Sequence, residues 1–202
     1  MPDLYRVFPF LANAPHDEPG GPLHIPPSGG GRLDNPDLFS VLYLGDSAAG
    51  AVAEAFGRFP EWTPAMLPGP AALPGSIRAL ARYRLRDESL LCDLDDPRQL
   101  LALALRPSDV VSRDYTRTRA WARRIYLQRA WAGARWWSYY DPRWASVGLW
   151  ATAGLTLKHF EPLGIDHPAL LEAGGIILRR IVRTPPRSRR ATDSPARRHR
   201  RD

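Results

Sequence analysis

A single cysteine, Cys92, stands among 202 residues, which excludes an intrachain disulfide and a metal site built on cysteines. The five histidines have no ligand spacing: His24, His159 and His167 read as isolated loop or surface residues, so no bound metal is expected. No apolar run reaches the ~20 residues that a membrane helix needs. The longest, Val147 to Leu157, stops well short, and Met1 to Phe10 lacks a basic region leading into an uninterrupted apolar core. No membrane partner is expected, and a reduced cytoplasm is the natural compartment. Internal repeats are also absent.

What is present is an ordinary globular composition, 44% hydrophobic and 24% charged, with enough length to bury one sizeable core. The formal charge of +7 invites a nucleic-acid reading, but its distribution argues against one. Arg179 to Asp202 holds ten of the 28 basic residues and two of the 21 acidic ones, a charge of +8 that leaves the rest of the chain at −1. A nearly neutral body lacks the electrostatic footprint of a phosphate-backbone binder. Residues 183 to 202, almost free of apolar side chains, are expected to form a disordered arginine-rich tail behind a domain spanning 1 to 182. Nucleic acid is expected to touch the protein, if at all, only through that tail.

The pattern predicts an α+β domain with a mixed central sheet and flanking helices. Leu4 to Phe8 reads as a first strand and residues 11 to 31, rich in Pro, Gly and His, as a surface loop. Val41 to Leu44 is a second strand, after which Asp46 or Ser47 suits the N-cap of a helix over Ala48 to Phe56. Five prolines leave residues 57 to 76 without a pattern. Apolar residues then alternate with arginines from Ile77 to Arg86 as in a half-buried strand, and Leu90 to Leu94 extends the sheet before a helix near Asp96 and Pro97. Thr116 to Ala132 carries the stripe Trp121, Ala122, Ile125, Tyr126 and Ala130 of an amphipathic helix that Gly133 ends. Strands over Ala134 to Ser138 and Val147 to Thr152, joined by a turn at Asp141 and Pro142, precede a last helix from His167 to Leu178.

Arg32, Tyr43 and Glu54 lie eleven positions apart, separated by a glycine turn, a short strand and the start of a helix. That unit can aim a cation, an aromatic ring and a carboxylate into one cleft. Arg32 follows Gly29, Gly30 and Gly31, whose permissive dihedrals let backbone amides curl toward a phosphate while the guanidinium binds it. Arg6, in the first strand, needs a partner if buried. Ser138 follows Trp136 and Trp137 with no adjacent histidine base, so it suits hydrogen bonding better than nucleophilic attack. Each residue has a plain alternative: a solvated arginine, a buried core tyrosine, a helix-surface glutamate.

The joint order of these parts, Leu4-Tyr5-Arg6, Gly30-Gly31-Arg32, Tyr43, an Ala-rich helix reaching Glu54 and then Ser138, resembles the RES domain over roughly residues 4 to 178. The resemblance implies an ADP-ribosyltransferase-like fold and an enzyme that degrades NAD by hydrolysis or phosphorolysis. NAD is then substrate rather than cofactor, with inorganic phosphate a possible co-substrate. The family's active-site positions fall on Arg6, Arg32, Tyr43, Glu54 and Ser138. Many members are toxins neutralised by a cognate antitoxin, an expected partner here. Two departures stand out: Leu33 where members commonly have Trp, and Tyr139-Tyr140 where a basic residue commonly follows the serine. The resemblance gives Arg6 and Arg32 the phosphates, Tyr43 the nicotinamide, Glu54 the ribosyl cation and Ser138 a supporting hydrogen bond. Rival readings are ADP-ribosyl transfer to a protein, and a catalytically silent interaction module whose tail binds nucleic acid.

Overall fold

The computed structural model describes residues 3–26, 29–86 and 91–183. Its frame is a seven-stranded mixed sheet. In chain order the strands are β1 (Asp3–Phe10), β2 (Leu42–Gly45), β4 (Ile77–Leu85), β5 (Leu91–Asp93), β6 (Gly133–Trp137), β7 (Ala145–Leu149) and β8 (Leu155–Pro162). Across the sheet they run β5-β6-β7-β2-β1-β4-β8, and only the β5/β6 pair is parallel. The expected α+β class and mixed sheet are therefore present. A second, two-stranded parallel sheet joins β3 (Glu61–Trp62) to β9 (Arg180–Ile181).

Helix α1 (Ala48–Phe56) starts where the sequence places it, with the Ser47 hydroxyl accepting from the Gly50 N–H at 3.0 Å. Its buried face, Ala49, Ala51, Val52, Ala53 and Phe56, is mostly small, so the helix lies close on β1 and β2 and shares a core with Leu80, Trp62 and α5 (Pro168–Ile176). Contact is close enough that a Cβ on Gly45 would stand 3.0 Å from the Ala51 nitrogen. Around β5 and β6 a second core gathers Trp121, Ala122 and Ile125 of α4 (Tyr115–Leu127), Leu100 of α2 (Pro97–Ala102) and Val110 of α3 (Pro107–Val110). On the opposite face of the sheet, Leu4, Phe8, Leu42, Leu44 and Tyr83 form a third.

Several boundaries differ from those expected. Helix α4 stops at Leu127, and Arg129 takes a left-handed φ of 56° that no helix can continue, so Ala130 lies outside it. Gly133 opens β6 instead of ending α4; a Cβ there would meet the Gly148 carbonyl oxygen of β7 at 2.2 Å. The patternless 57 to 76 stretch contains β3 and the 3₁₀ turn Pro64–Met66, and β8 appears where no strand was expected. Residues 184 to 202 of the expected tail, and Leu90 of the expected strand, lie outside the described residues.

Between β1 and β2 the ladder contains one register pair, Tyr5 opposite Gly45, whereas β1 pairs with β4 along its whole length. Below that single rung the sheet opens, and the opening positions the site.

Candidate active site

A cavity of about 300 Å³ occupies the opening. Its floor is Tyr5, Arg6 and Val7 of β1, Leu44 and Gly45 of β2, Trp136 of β6 and Ser146 of β7. One wall is α1 with Ala51, Glu54 and Ala55; opposite stand Gly31, Arg32, Tyr43, Tyr115 and Tyr139. Four of the five residues singled out in the sequence line it, and the fifth, Ser138, touches it through Glu54.

Glu54 is exposed at the cavity wall, and the buried Ser138 hydroxyl donates to its Oε1 at 2.5 Å. Ser146, also buried, reaches the same oxygen at 3.4 Å. Ser138 Oγ in turn accepts from the Tyr140 N–H at 3.1 Å, which fixes the rotor so that its proton points at the carboxylate. Two hydroxyls therefore hold one oxygen, while Oε2 makes no hydrogen bond among the described residues and faces whatever enters. Ser138 acts here as a donor that orients a carboxylate. No histidine bonds to it among the described residues. The nearby negative charge of Glu54 adds to burial in raising the Tyr140 pKa.

Arg6 borders the cavity where the strands part. Its Nη1 donates to the carbonyls of Pro22 and His24, at 3.2 and 2.8 Å. Burial lowers the guanidinium's pKa, opposed by the neighbouring Tyr83 hydroxyl, and no carboxylate pairs with it among the described residues. The partner that a buried arginine needs is thus supplied only in part, by neutral oxygens. Arg32 is likewise held by one nitrogen, Nη1 donating to the carbonyls of Val110 at 3.1 Å and Ser112 at 2.7 Å.

The glycine turn departs from expectation. The amides of Gly29 and Gly31 do not point into the cavity; both donate to Oδ2 of Asp34, at 2.8 and 2.5 Å. Asp34 is buried, and its Oδ1 accepts from the Tyr43 hydroxyl at 2.7 Å while that hydroxyl accepts from the Leu33 N–H at 2.8 Å. The turn is therefore closed by an internal carboxylate, which takes the Gly29 and Gly31 amides that were expected to curl toward a phosphate. Only glycine fits at 31, where a Cβ would sit 2.3 Å from the Tyr43 hydroxyl oxygen. Tyr43's hydroxyl is likewise spent inside the protein, so what it offers the cavity is its ring, edge-on to Trp136 at 6.5 Å. Burial, then Asp34, pushes its pKa far upward. Leu33, at one of the two departures, is fully buried beneath this turn.

Sequence reasoning did not place Asp34, Ser146, Trp136, Tyr5 or Tyr115 at the site, and it named Tyr139 only as a departure from the family pattern. Asp34 carried no local signal, since the amides it accepts from, Gly29 and Gly31, precede it and its third donor is the distant Tyr43 hydroxyl. Ser146 had none: it reaches Glu54 only through the β6/β7 pairing that sets it opposite Trp136.

The RES-domain family model matches residues 3–170. The chain belongs to the RES family. No curated protein matches it. In fold this RES domain is similar to a chain of the crystal structure of the M. tuberculosis MbcT-MbcA toxin-antitoxin complex, with a TM-score of 0.55 and 18% identity over 80% of this chain and 84% of that one. Among the described residues no helix is long and apolar enough to cross a membrane.

Proposed function

We propose that this RES domain cleaves the nicotinamide-ribose bond of NAD, with water or inorganic phosphate as acceptor, and that it is a toxin restrained by a cognate antitoxin. The observation that carries the reading is the Glu54 carboxylate, anchored through one oxygen by Ser138 and, among the described residues, open through the other, in a cavity whose two arginines meet no acid among those residues.

When the C1′–N bond breaks, its electron pair leaves with the pyridinium nitrogen, giving neutral nicotinamide and an oxocarbenium-like ribosyl group. Glu54 stabilises that cation and holds the ribose hydroxyls through its free oxygen. Arg6 and Arg32 bind the pyrophosphate with the donors the protein leaves unused. The Tyr43 and Trp136 rings form the apolar surface for the nicotinamide. Water then adds at C1′ and loses a proton, yielding ADP-ribose; phosphate as acceptor yields its 1-phosphate. The antitoxin half of the reading leans on the fold shared with a member of a toxin-antitoxin complex.

Purified protein incubated with NAD, with and without phosphate, tests the reading by its products. Nicotinamide with ADP-ribose or its 1-phosphate is expected, whereas label retained on protein would make the enzyme a transferase. Glu54→Gln keeps size and removes the charge, so kcat should fall at least ~100-fold with little change in affinity. A folded variant that consumes NAD at the native rate would reduce Glu54 to a surface carboxylate.

A further inference from the structure

Two tyrosines at the cavity stand unusually open for rings that line a site, Tyr115 at 40% exposure and Tyr139 at 51%. Each has a guanidinium over it: Arg32 lies 5.9 Å from the Tyr115 centroid and Arg113 5.1 Å from that of Tyr139. Arg113 also donates to the Tyr139 hydroxyl. Of the arginines near these in sequence, Arg117 is taken up by Asp109 and Asp114, and Arg119, 5.6 Å from the Tyr115 centroid, by the carbonyls of Gly31 and Gly29. Arg32 and Arg113 pair with no carboxylate among the described residues. Tyr140 packs edge-on to Tyr139 at 5.4 Å and steadies it.

An exposed ring with a cation held over one side by its own hydroxyl leaves its open side as a surface for a flat base that carries a nearby negative charge. We propose that Tyr139 and Arg113 form a subsite for the adenosine half of the substrate, with the adenine on the Tyr139 ring and Arg113 reaching its ribose-phosphate. The proposal rests on the NAD reading above. It makes the α3-α4 connection, which brings Arg113 onto Tyr139 at the cavity's edge, the part of the fold that distinguishes a dinucleotide from a mononucleotide. It also gives the Tyr at position 139 a task of its own, with the cation arriving from Arg113.

Comparing NAD with nicotinamide mononucleotide isolates the subsite, because the two share the scissile bond and differ in the adenosine monophosphate half. The native protein should show a higher kcat/KM for NAD. Arg113→Ala and Tyr139→Ala should shrink that preference on the order of tenfold or more, chiefly through the KM for NAD. Tyr139→Phe, which keeps the ring and loses the hydroxyl, should fall between. If the native protein cleaves NAD and both alanine variants keep its preference, the subsite is refuted while the cleavage reading stands. If the native protein cleaves neither compound, the cleavage reading fails, and calorimetry with AMP decides the subsite alone: binding abolished by Arg113→Ala supports it, and no binding by the native protein overturns it.

Discussion

At the scale of single residues, the site depends on a carboxylate that is buried outside the cavity lining. Asp34 takes three donors, the amides of Gly29 and Gly31 and the hydroxyl of Tyr43, and so sets the turn from which Arg32 projects. Tyr43→Phe removes one of the three and leaves the Leu33 N–H without its acceptor. A buried polar group stripped of its partner costs about 1–3 kcal/mol, and two are affected here. Urea melts should show a loss of at least that size, with the ring still in place. A neutral substitution would mean that the turn holds without this bond. Glu54, Tyr43 and Arg32 were legible because their spacing survives in one dimension. Asp34 was not singled out, because its role depends on three donors that converge only once the turn is closed.

At the scale of elements, α4 is the clamp on that turn. Arg119 donates from Nε to the Gly31 carbonyl at 3.2 Å and from Nη2 to that of Gly29 at 2.9 Å, and Thr118 donates to the Arg32 carbonyl at 2.7 Å. Asn35 returns the contact by donating to the Arg119 carbonyl at 3.1 Å. Arg119→Ala should loosen the turn without opening the core, since Trp121, Ala122 and Ile125 bury the helix's other face. The expected outcome is a KM for NAD raised several-fold, because a misplaced cation binds poorly, with a midpoint loss of no more than ~1 kcal/mol. Equal KM values with a much lower melting temperature would make Arg119 a stability residue only. Helix α4 announced itself through its apolar stripe, and α1 through its cap. Strand β8 did not, because as one of the sheet's two outer strands it buries only Leu155 fully and alternates weakly. Its register shift near Lys158, its charged residues and Pro162 are the features that keep an edge from pairing with a neighbour, and they also erase the period that marks a strand.

At the scale of the whole molecule, the interior is built around groups that must stay neutral. Burial pushes the Tyr83 hydroxyl up to about 12 from 10.0, with Arg6 beside it opposing. Burial, with Asp93 adding to it, pushes the Cys92 thiol up to about 11 from 9.0, and Tyr43 moves further in the same direction. Tyr83 sits in one core, and Cys92 and Tyr43 in another on the opposite face of the sheet, so the effect belongs to no single element. Each has a folded value above its unfolded one, and in each the protonated form is the neutral form. The stability they contribute is therefore complete below pH 9 and drains away as pH rises through 9 to 12, because only the unfolded chain ionises freely there. Tyr83 alone accounts for a loss on the order of 2–3 kcal/mol by pH 12. Urea midpoints measured at pH 8, 10 and 11 should fall steadily, and Cys92→Ala, whatever its cost at pH 8, should fall less between 9 and 11 than the native protein. A midpoint that stays level from pH 8 to 11 would mean that these groups reach solvent and that the cores holding them open at little cost.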